Sequence, residues 1–304
     1  MNTLAAGISY IDVNFLGIPG IIATAVLHGP GGVALIDPGP TSTLPALRAA
    51  LAQAGIGSTD VRSIVLTHIH LDHAGATGTI VHEHPDVRVY VHEKGAPHMI
   101  DPGKLLASAT RLWGADMDRL WGEVRPVPPE VVVSLAGGER IDAAGRDLTV
   151  AYTPGHASHH VSFYNADSGV AFVGDTAGIC LSRGGFVLPP TPPPDIDPEA
   201  WRASLTLIEG WGADTLFITH FGAHAPAHAH LTEMADHLTL LANLVRASLA
   251  RPGDDESREA WFTDEVRREL RRRLPEDNAR AYEVAGRFDL NWKGLARYWR
   301  KRAG

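Results

Sequence analysis

The chain has 304 residues, 44% of them hydrophobic, and a formal net charge of -8, which is enough apolar material for one large domain or two modest ones with real cores. No apolar run approaches the roughly 20 residues needed to span a bilayer. The single cysteine, Cys180, cannot close an internal disulfide, and the start MNTLAAGISYIDVNFLG has no basic segment followed by a long apolar core, so a cytoplasmic protein is expected.

Short β-rich runs alternate with helical spacing over the first two thirds, the pattern of a layered α/β domain. GGVALIDPGP reads as a strand ending in a turn, TLPALRAALAQAGI as a helix stopped by glycine, and VRSIVLTH and VRVYVHE as further strands. A helix is expected from about Ala74, with Gly75 and Gly78 allowing close backbone approach. Residues 95 to 122 read as a helical insertion with Trp113, Met117 and Trp121 on one face. Strands return in EVVVSL, RDLTVAYTPGH, HHVSFYN and GVAFVGDT, and PPTPPPDIDP reads as a stiff connector to a helix starting near Trp201. The strand DTLFITH follows, and then helices over about 226–250, 256–274 and 289–302.

The segment SIVLTHIHLDHAGATG places His68, His70, Asp72 and His73 directly behind an apolar run. In an extended segment residues i and i+2 share a side, so His68 and His70 can aim at one centre. TVAYTPGH delivers His156, VAFVGD delivers Asp175 and TLFITH delivers His220. Four separate apolar runs thus end in imidazole or carboxylate, the ligand types expected for zinc and suited also to iron or manganese. Seven such groups exceed one tetrahedral site. They fit two divalent ions roughly 3.5 to 4 Å apart with one bridging carboxylate, and Asp175 is the natural bridge. His82, His84, His92, His98, His228, His230 and His237 lack a strand-end context and read as core or surface residues. His159 and His160 lie close enough to His156 to support it. Cys180, five residues after Asp175, reads as a buried inert thiol.

The order His-x-His-x-Asp-His, then His, Asp and His, resembles the metallo-β-lactamase superfamily over about residues 20 to 225. The resemblance implies an α/β fold, an αββα sandwich with metals at one edge. It divides the chain into a catalytic domain over 1–225, interrupted by the insertion at 95–122, and a C-terminal helical extension over 226–304. It further implies His68, His70 and His156 on one metal, Asp72, His73 and His220 on the other, and Asp175 on both. ALIDPG resembles the family's first motif, where Asp37 would support the metal loop from behind; a simple turn-forming aspartate before Pro-Gly is nearly as good a reading.

Such a pair of metals holds a hydroxide that is nucleophilic near neutral pH, so the expected chemistry is hydrolysis of a small-molecule ester, lactone or thioester. Asp72, beyond its ligand role, could carry a proton toward the leaving group. Met99, Trp113 and Trp121 could wall the substrate, although ordinary helix packing is the better explanation of them. Two further readings come with the resemblance: a persulfide dioxygenase-like oxidoreductase with one iron, and a phosphodiesterase or nuclease. RRELRRRL and ARYWRKRAG could suit the latter by phosphate attraction, with Tyr298 and Trp299 for stacking. However, residues 251–304 hold 14 Lys/Arg against 11 Asp/Glu, so acidic residues interrupt the basic ones and nucleic acid is disfavoured. No segment of 226–304 matches the glutathione-contacting part of glyoxalase II.

Overall fold

The computed structural model describes residues 1–181 and 185–303. The first half of the chain runs β1 (Asn2–Ala5), β2 (Ile8–Asp12), β3 (Ala23–Gly29), β4 (Gly32–Ile36), α1 (Leu44–Gln53), β5 (Val61–Val65), α2 (Leu71–Ala74), α3 (Thr77–Glu83), β6 (Arg88–His92), α4 (Ala96–Ile100), α5 (Gly103–Trp113), α6 (Met117–Trp121) and β7 (Val132–Leu135). These seven strands form one sheet in sequence order. Its first three pairings are antiparallel and its last three, from β4 to β7, are parallel.

The second half supplies β8 (Arg140–Ala143), β9 (Arg146–Tyr152), β10 (Val161–Asn165), β11 (Val170–Phe172), α7 (Pro198–Glu209), β12 (Thr215–Ile218) and β13 (Gly222–His224). Four helices follow: α8 (Ala227–Leu249), α9 (Asp255–Arg273), α10 (Glu276–Gly286) and α11 (Phe288–Ala303). The second sheet has the order β13-β12-β11-β10-β9-β8, with β11 and β12 parallel. Among the described residues no helix is long and apolar enough to cross a membrane.

Strand alternation decides how these layers stack. In β4, Ala34 and Ile36 join a central cluster with Val65, Leu148, Val150, Phe163, Phe172 and Phe217 from both sheets. Val33 and Leu35 of the same strand point the other way, onto α1, α3 and the insertion. In β12, Phe217 faces the centre while Leu216 and Ile218 face α7 to α11. Two sheets, each apolar on both faces, therefore need a helical layer outside each of them, and the result is an αββα sandwich.

The local sequence accounts for the helix starts that matter here. Asp197 caps α7, accepting from the backbone N–H groups of Glu199 and Ala200 with proline at the first helical position. This start lies three residues earlier than the expected Trp201. The helical insertion expected over 95–122 consists of three short helices, α4 to α6, interrupted at Asp101-Pro102 and at Gly114, which takes φ 53. Trp113 and Trp121 nevertheless meet edge-on at 5.1 Å. Met99 packs into the core at 4% exposure, which removes it as a wall of the substrate cavity. The C-terminal region adds α10, a helix for which the chain shows no clear periodic signal.

Phe163 is fully buried between the sheets. Phe163→Ala is expected to lower the unfolding free energy by about 3–5 kcal/mol, read as an earlier urea midpoint at unchanged slope.

Candidate functional site

The chain leaves its strands before the polar residues begin. β5 stops at Val65, so His68 and His70 stand in a loop, not in the extended segment expected for them, and α2 opens at Leu71, so Asp72 and His73 occupy its first turn. His156 follows the end of β9 by four residues, Asp175 lies in a 3-10 turn (Gly174–Ala177) after β11, and His220 follows β12 by two. The close approach expected at Gly78 is present: a Cβ there would sit 2.0 Å from the carbonyl oxygen of Arg125. Gly174, at φ 44, is needed for a similar reason, since a Cβ would lie 2.5 Å from Thr67 Oγ1.

All seven predicted residues converge. His68, His70 and His156 form one group, Asp72, His73 and His220 a second, and His68, His73 and Asp175 a third that joins them; within each group one donor atom per residue lies within 4.8 Å of the others. Asp175 sits between the triads: Oδ2 is 3.4 Å from His156 Nε2, and Oδ1 is 3.2 Å from His73 Nε2 and 3.6 Å from His220 Nε2. His70 Nδ1 and His156 Nε2 face each other at 3.0 Å.

The rings are aimed from behind. His73 Nδ1–H donates to Asp37 Oδ2 at 2.8 Å, His156 Nδ1–H to the carbonyl of Pro190 at 2.8 Å, and His220 Nδ1–H to the carbonyl of Ile21 at 2.8 Å. The hydroxyl of Thr67 donates to Asp37, which leaves its oxygen to accept from His68 Nδ1 at 3.1 Å. These bonds turn Nε2 of each ring inward. There the buried atoms His68 Nε2, His73 Nε2 and Asp175 Oδ1 complete no hydrogen bond. Buried polar atoms without partners are costly, and a cation would satisfy them. Two nitrogens on one tetrahedral zinc lie about 3.3 Å apart, close to the observed His70–His156 separation, so the donor set fits divalent metal.

Asp37 is more than a turn residue. Although it is in the left-handed region at φ 50, its fully buried carboxylate accepts from Thr67 N–H, Thr67 Oγ1, His73 Nδ1 and Thr219 Oγ1 at 2.7 to 3.0 Å. His160 is also buried; its Nδ1 lies 3.0 Å from Thr153 Oγ1 and 3.1 Å from Thr176 Oγ1, and its ring stacks on His68. It buttresses the site without entering it.

Charge follows this arrangement. Burial, then His156, pulls His70 down to about 4, and burial, then His73, holds His68 well below the ordinary range. Burial would lower His73 and His220 too, but the carboxylates of Asp175 and Asp72 outweigh it and raise both. Asp72 would be raised by burial, yet His73 and His220 bring it down to about 2.

A cavity of about 490 Å³ opens over the cluster, walled by Phe15, Leu105, Trp113 and Trp121 and by the start of α11. Trp113 and Trp121 therefore do reach it. His98, read from sequence as structural, also lines it, as do Lys94, Lys104 and Pro190. No local motif marks these wall residues, because they come together only through packing.

Replacing Asp37 by Ala leaves four buried donors without an acceptor. A loss of about 3–5 kcal/mol in unfolding free energy is expected, measured by chemical denaturation of metal-free protein, so that the effect is not mediated by the metals.

A sequence profile described as the metallo-beta-lactamase superfamily matches residues 17–220. The chain is 33% identical over 146 residues to a metallo-beta-lactamase fold-containing protein of Sulfurisphaera tokodaii, covering 47% of this chain and 53% of that protein. It is 31% identical over 159 residues to a hydroxyacylglutathione hydrolase of a Synechococcus strain, covering 51% and 49%. The chain thus spans about half the length of these curated relatives. Among solved structures, a metallo-beta-lactamase family protein from Thermus thermophilus superposes with a TM-score of 0.71 at 25% identity, over 99% of this chain and 95% of that one. The sandwich, the His/Asp cluster at its edge and these matches agree: the chain belongs to the metallo-beta-lactamase superfamily.

Proposed function

We propose that this protein is a dinuclear metal-dependent hydrolase of a small-molecule carboxyl ester, lactone or thioester. His68, His70 and His156 hold one ion, Asp72, His73 and His220 hold the other, and Asp175 bridges them. Zinc suits this nitrogen and oxygen set best, with iron and manganese compatible. The observation that carries the reading is the placement of Asp175, one oxygen turned to His156 and the other to His73 and His220. When bound, such a pair supplies an activated water at neutral pH and Lewis-acid polarisation of the substrate oxygen.

The chain's own residues do the rest. Asp72 is the most exposed of the site carboxylates, with its side chain 25% accessible at the cavity floor, and it is placed to pass a proton to the departing alcohol or thiol. The cavity volume falls in the range of small-molecule pockets. Its aromatic and aliphatic lining suits an apolar acyl or alkyl portion, while Lys94 and Lys104, which also line it, offer a counter-charge to an anionic end. Similarity to a hydroxyacylglutathione hydrolase supports thioesters as the first substrates to try. The domain reading stays as proposed from sequence: a catalytic unit over 1–225 and helices 226–304, of which α10 and α11 help wall the cavity.

Protein purified without chelators is expected to carry two metal ions per chain at this site and to hydrolyse thioester or lactone substrates faster than phosphodiesters. Iron at one ion per chain with sulfite formed from a persulfide would replace this reading by the oxygenase one. Asp175→Ala is expected to weaken metal binding by more than about 100-fold, the upper range for loss of outer-sphere partners alone, and to abolish turnover with it. Activity persisting in metal-free Asp175→Ala protein would refute the mechanism.

A pH dependence follows from the raised histidines. In the metal-free protein the carboxylates of Asp175 and Asp72 outweigh burial and make His73 and His220 hold their protons to higher pH than an ordinary imidazole, and ligation requires their removal. Metal affinity should therefore climb as pH rises past the ordinary imidazole range, with protons released on loading, as measured by chelator competition and calorimetry in buffers of different ionisation enthalpy.

A further inference from the structure

A second cluster of metal-capable side chains lies behind the wall that carries Asp175 and His220. Cys180 follows the 3-10 turn of Asp175, His224 ends β13 and His230 lies in the first turn of α8. One donor atom of each lies within 4.8 Å of the other two. All three are buried, at 2%, 8% and 7% exposure, and none lines the substrate cavity.

The two imidazoles are oriented in the way metal-ligating rings usually are. His230 Nε2–H donates to the carbonyl of Ala177 at 2.7 Å, and His224 Nε2–H to the carbonyl of Phe221 at 3.2 Å. In the tautomer with the proton on Nε2, Nδ1 is the ring nitrogen suited to ligate a metal. The rings stand 4.7 Å apart, tilted by 45°. Burial, then His224, keeps His230 down at about 4, so it is uncharged at neutral pH. Tyr282, fully buried, bonds to Cys180 through its hydroxyl, which also accepts from the N–H of Leu181 at 3.1 Å. A phenol beside the sulfur can donate a hydrogen bond to it once the proton has left.

We propose that Cys180, His224 and His230 form a separate structural metal site that takes one thiophilic divalent cation, zinc by ligand chemistry. One thiolate and two imidazoles are a zinc donor set, and a closed, buried position is the setting of a structural ion. On binding, the sulfur–hydrogen bond of Cys180 is replaced by a sulfur–metal bond and the thiol proton is released to solvent. The site touches two segments that carry residues of the first cluster. The N–H of Cys180 bonds to the carbonyl of His220, and Ala177, which His230 holds, shares its turn with Asp175. An ion here would pin the two loops against α8, whatever metals the first cluster carries.

Cobalt separates the two sites by spectroscopy. Cys180 is the chain's one cysteine, so thiolate-to-cobalt charge transfer in the near ultraviolet can come only from the second site. The full chain, produced in cobalt-supplemented medium so that it folds around the ion, is expected to show this band and to hold one more cobalt per chain than Cys180→Ser, in which the band is absent. His230→Gln is expected to lose the band at a lower chelator concentration than the unaltered chain. The unaltered chain carries the readout, so the test survives a variant that fails to fold. Absence of the band from cobalt-grown protein, whether or not cobalt occupies the first cluster, would overturn the proposal.

Discussion

A single buried carboxylate organises the His/Asp site. Asp37 lies at the end of β4 with no exposure to solvent, and its two oxygens take four donors from three segments: Thr67 twice, His73 and Thr219. Each hydrogen bond to a charged group is worth about 1.5–3 kcal/mol. Together they outweigh the roughly 1–2 kcal/mol of a left-handed non-glycine backbone. Thr67, in the loop after β5, and His73, in α2, belong with the first sheet, whereas Thr219 precedes His220 after β12 of the second. One charge therefore fastens both halves of the sandwich at the edge where the ligand-type residues emerge, and it fixes which nitrogen of His73 faces inward.

The site is also a place where the fold works against its own electrostatics. Five imidazoles and two carboxylates are brought into a space where several donor atoms have no protein partner. Hydrophobic packing of the central cluster and the helical layers holds them there, because the loops that carry them are short extensions of strands locked into that core. Burial pushes His68, His70 and His156 toward the neutral form, which is the form that ligates metal, while the carboxylates of Asp175 and Asp72 raise His73 and His220 against burial. The cluster suits cations and is electrostatically uncomfortable without them. The Cys180 group repeats the logic on a smaller scale, with backbone carbonyls in place of Asp37 as the orienting acceptors.

Much of this is legible in the chain itself. The spacing of His68, His70, Asp72 and His73, and the recurrence of His156, Asp175 and His220 behind apolar runs, are local facts, since a strand that ends in a polar residue exposes it at the sheet edge. The strands β4 to β7 and β9 to β12 are readable for the same reason. Less visible are β1 to β3, whose runs are interrupted by glycine, and β8 and β13, which are too short to show a period. The His68 loop differs from its expected geometry because VRSIVLTH continues the strand pattern for residues that have already left the ladder. Asp37 in its DPG turn supports two readings from sequence, and the bond from Thr219, 182 positions away, decides between them.

Sequence alone settled the chemical kinds of group at the sheet edge, their order, and the layered α/β class, because each follows from residue type and a short-range period. Tertiary structure alone decided the rest: that Asp175 faces both triads, that Pro190 and Ile21 lend the carbonyls that orient His156 and His220, that α10 and α11 close one wall of the cavity, and that Cys180 meets His224 and His230. The physical reason is that such contacts depend on distances between segments far apart in the chain. Those distances are set by how two sheets and two helical layers pack, which no local periodicity encodes.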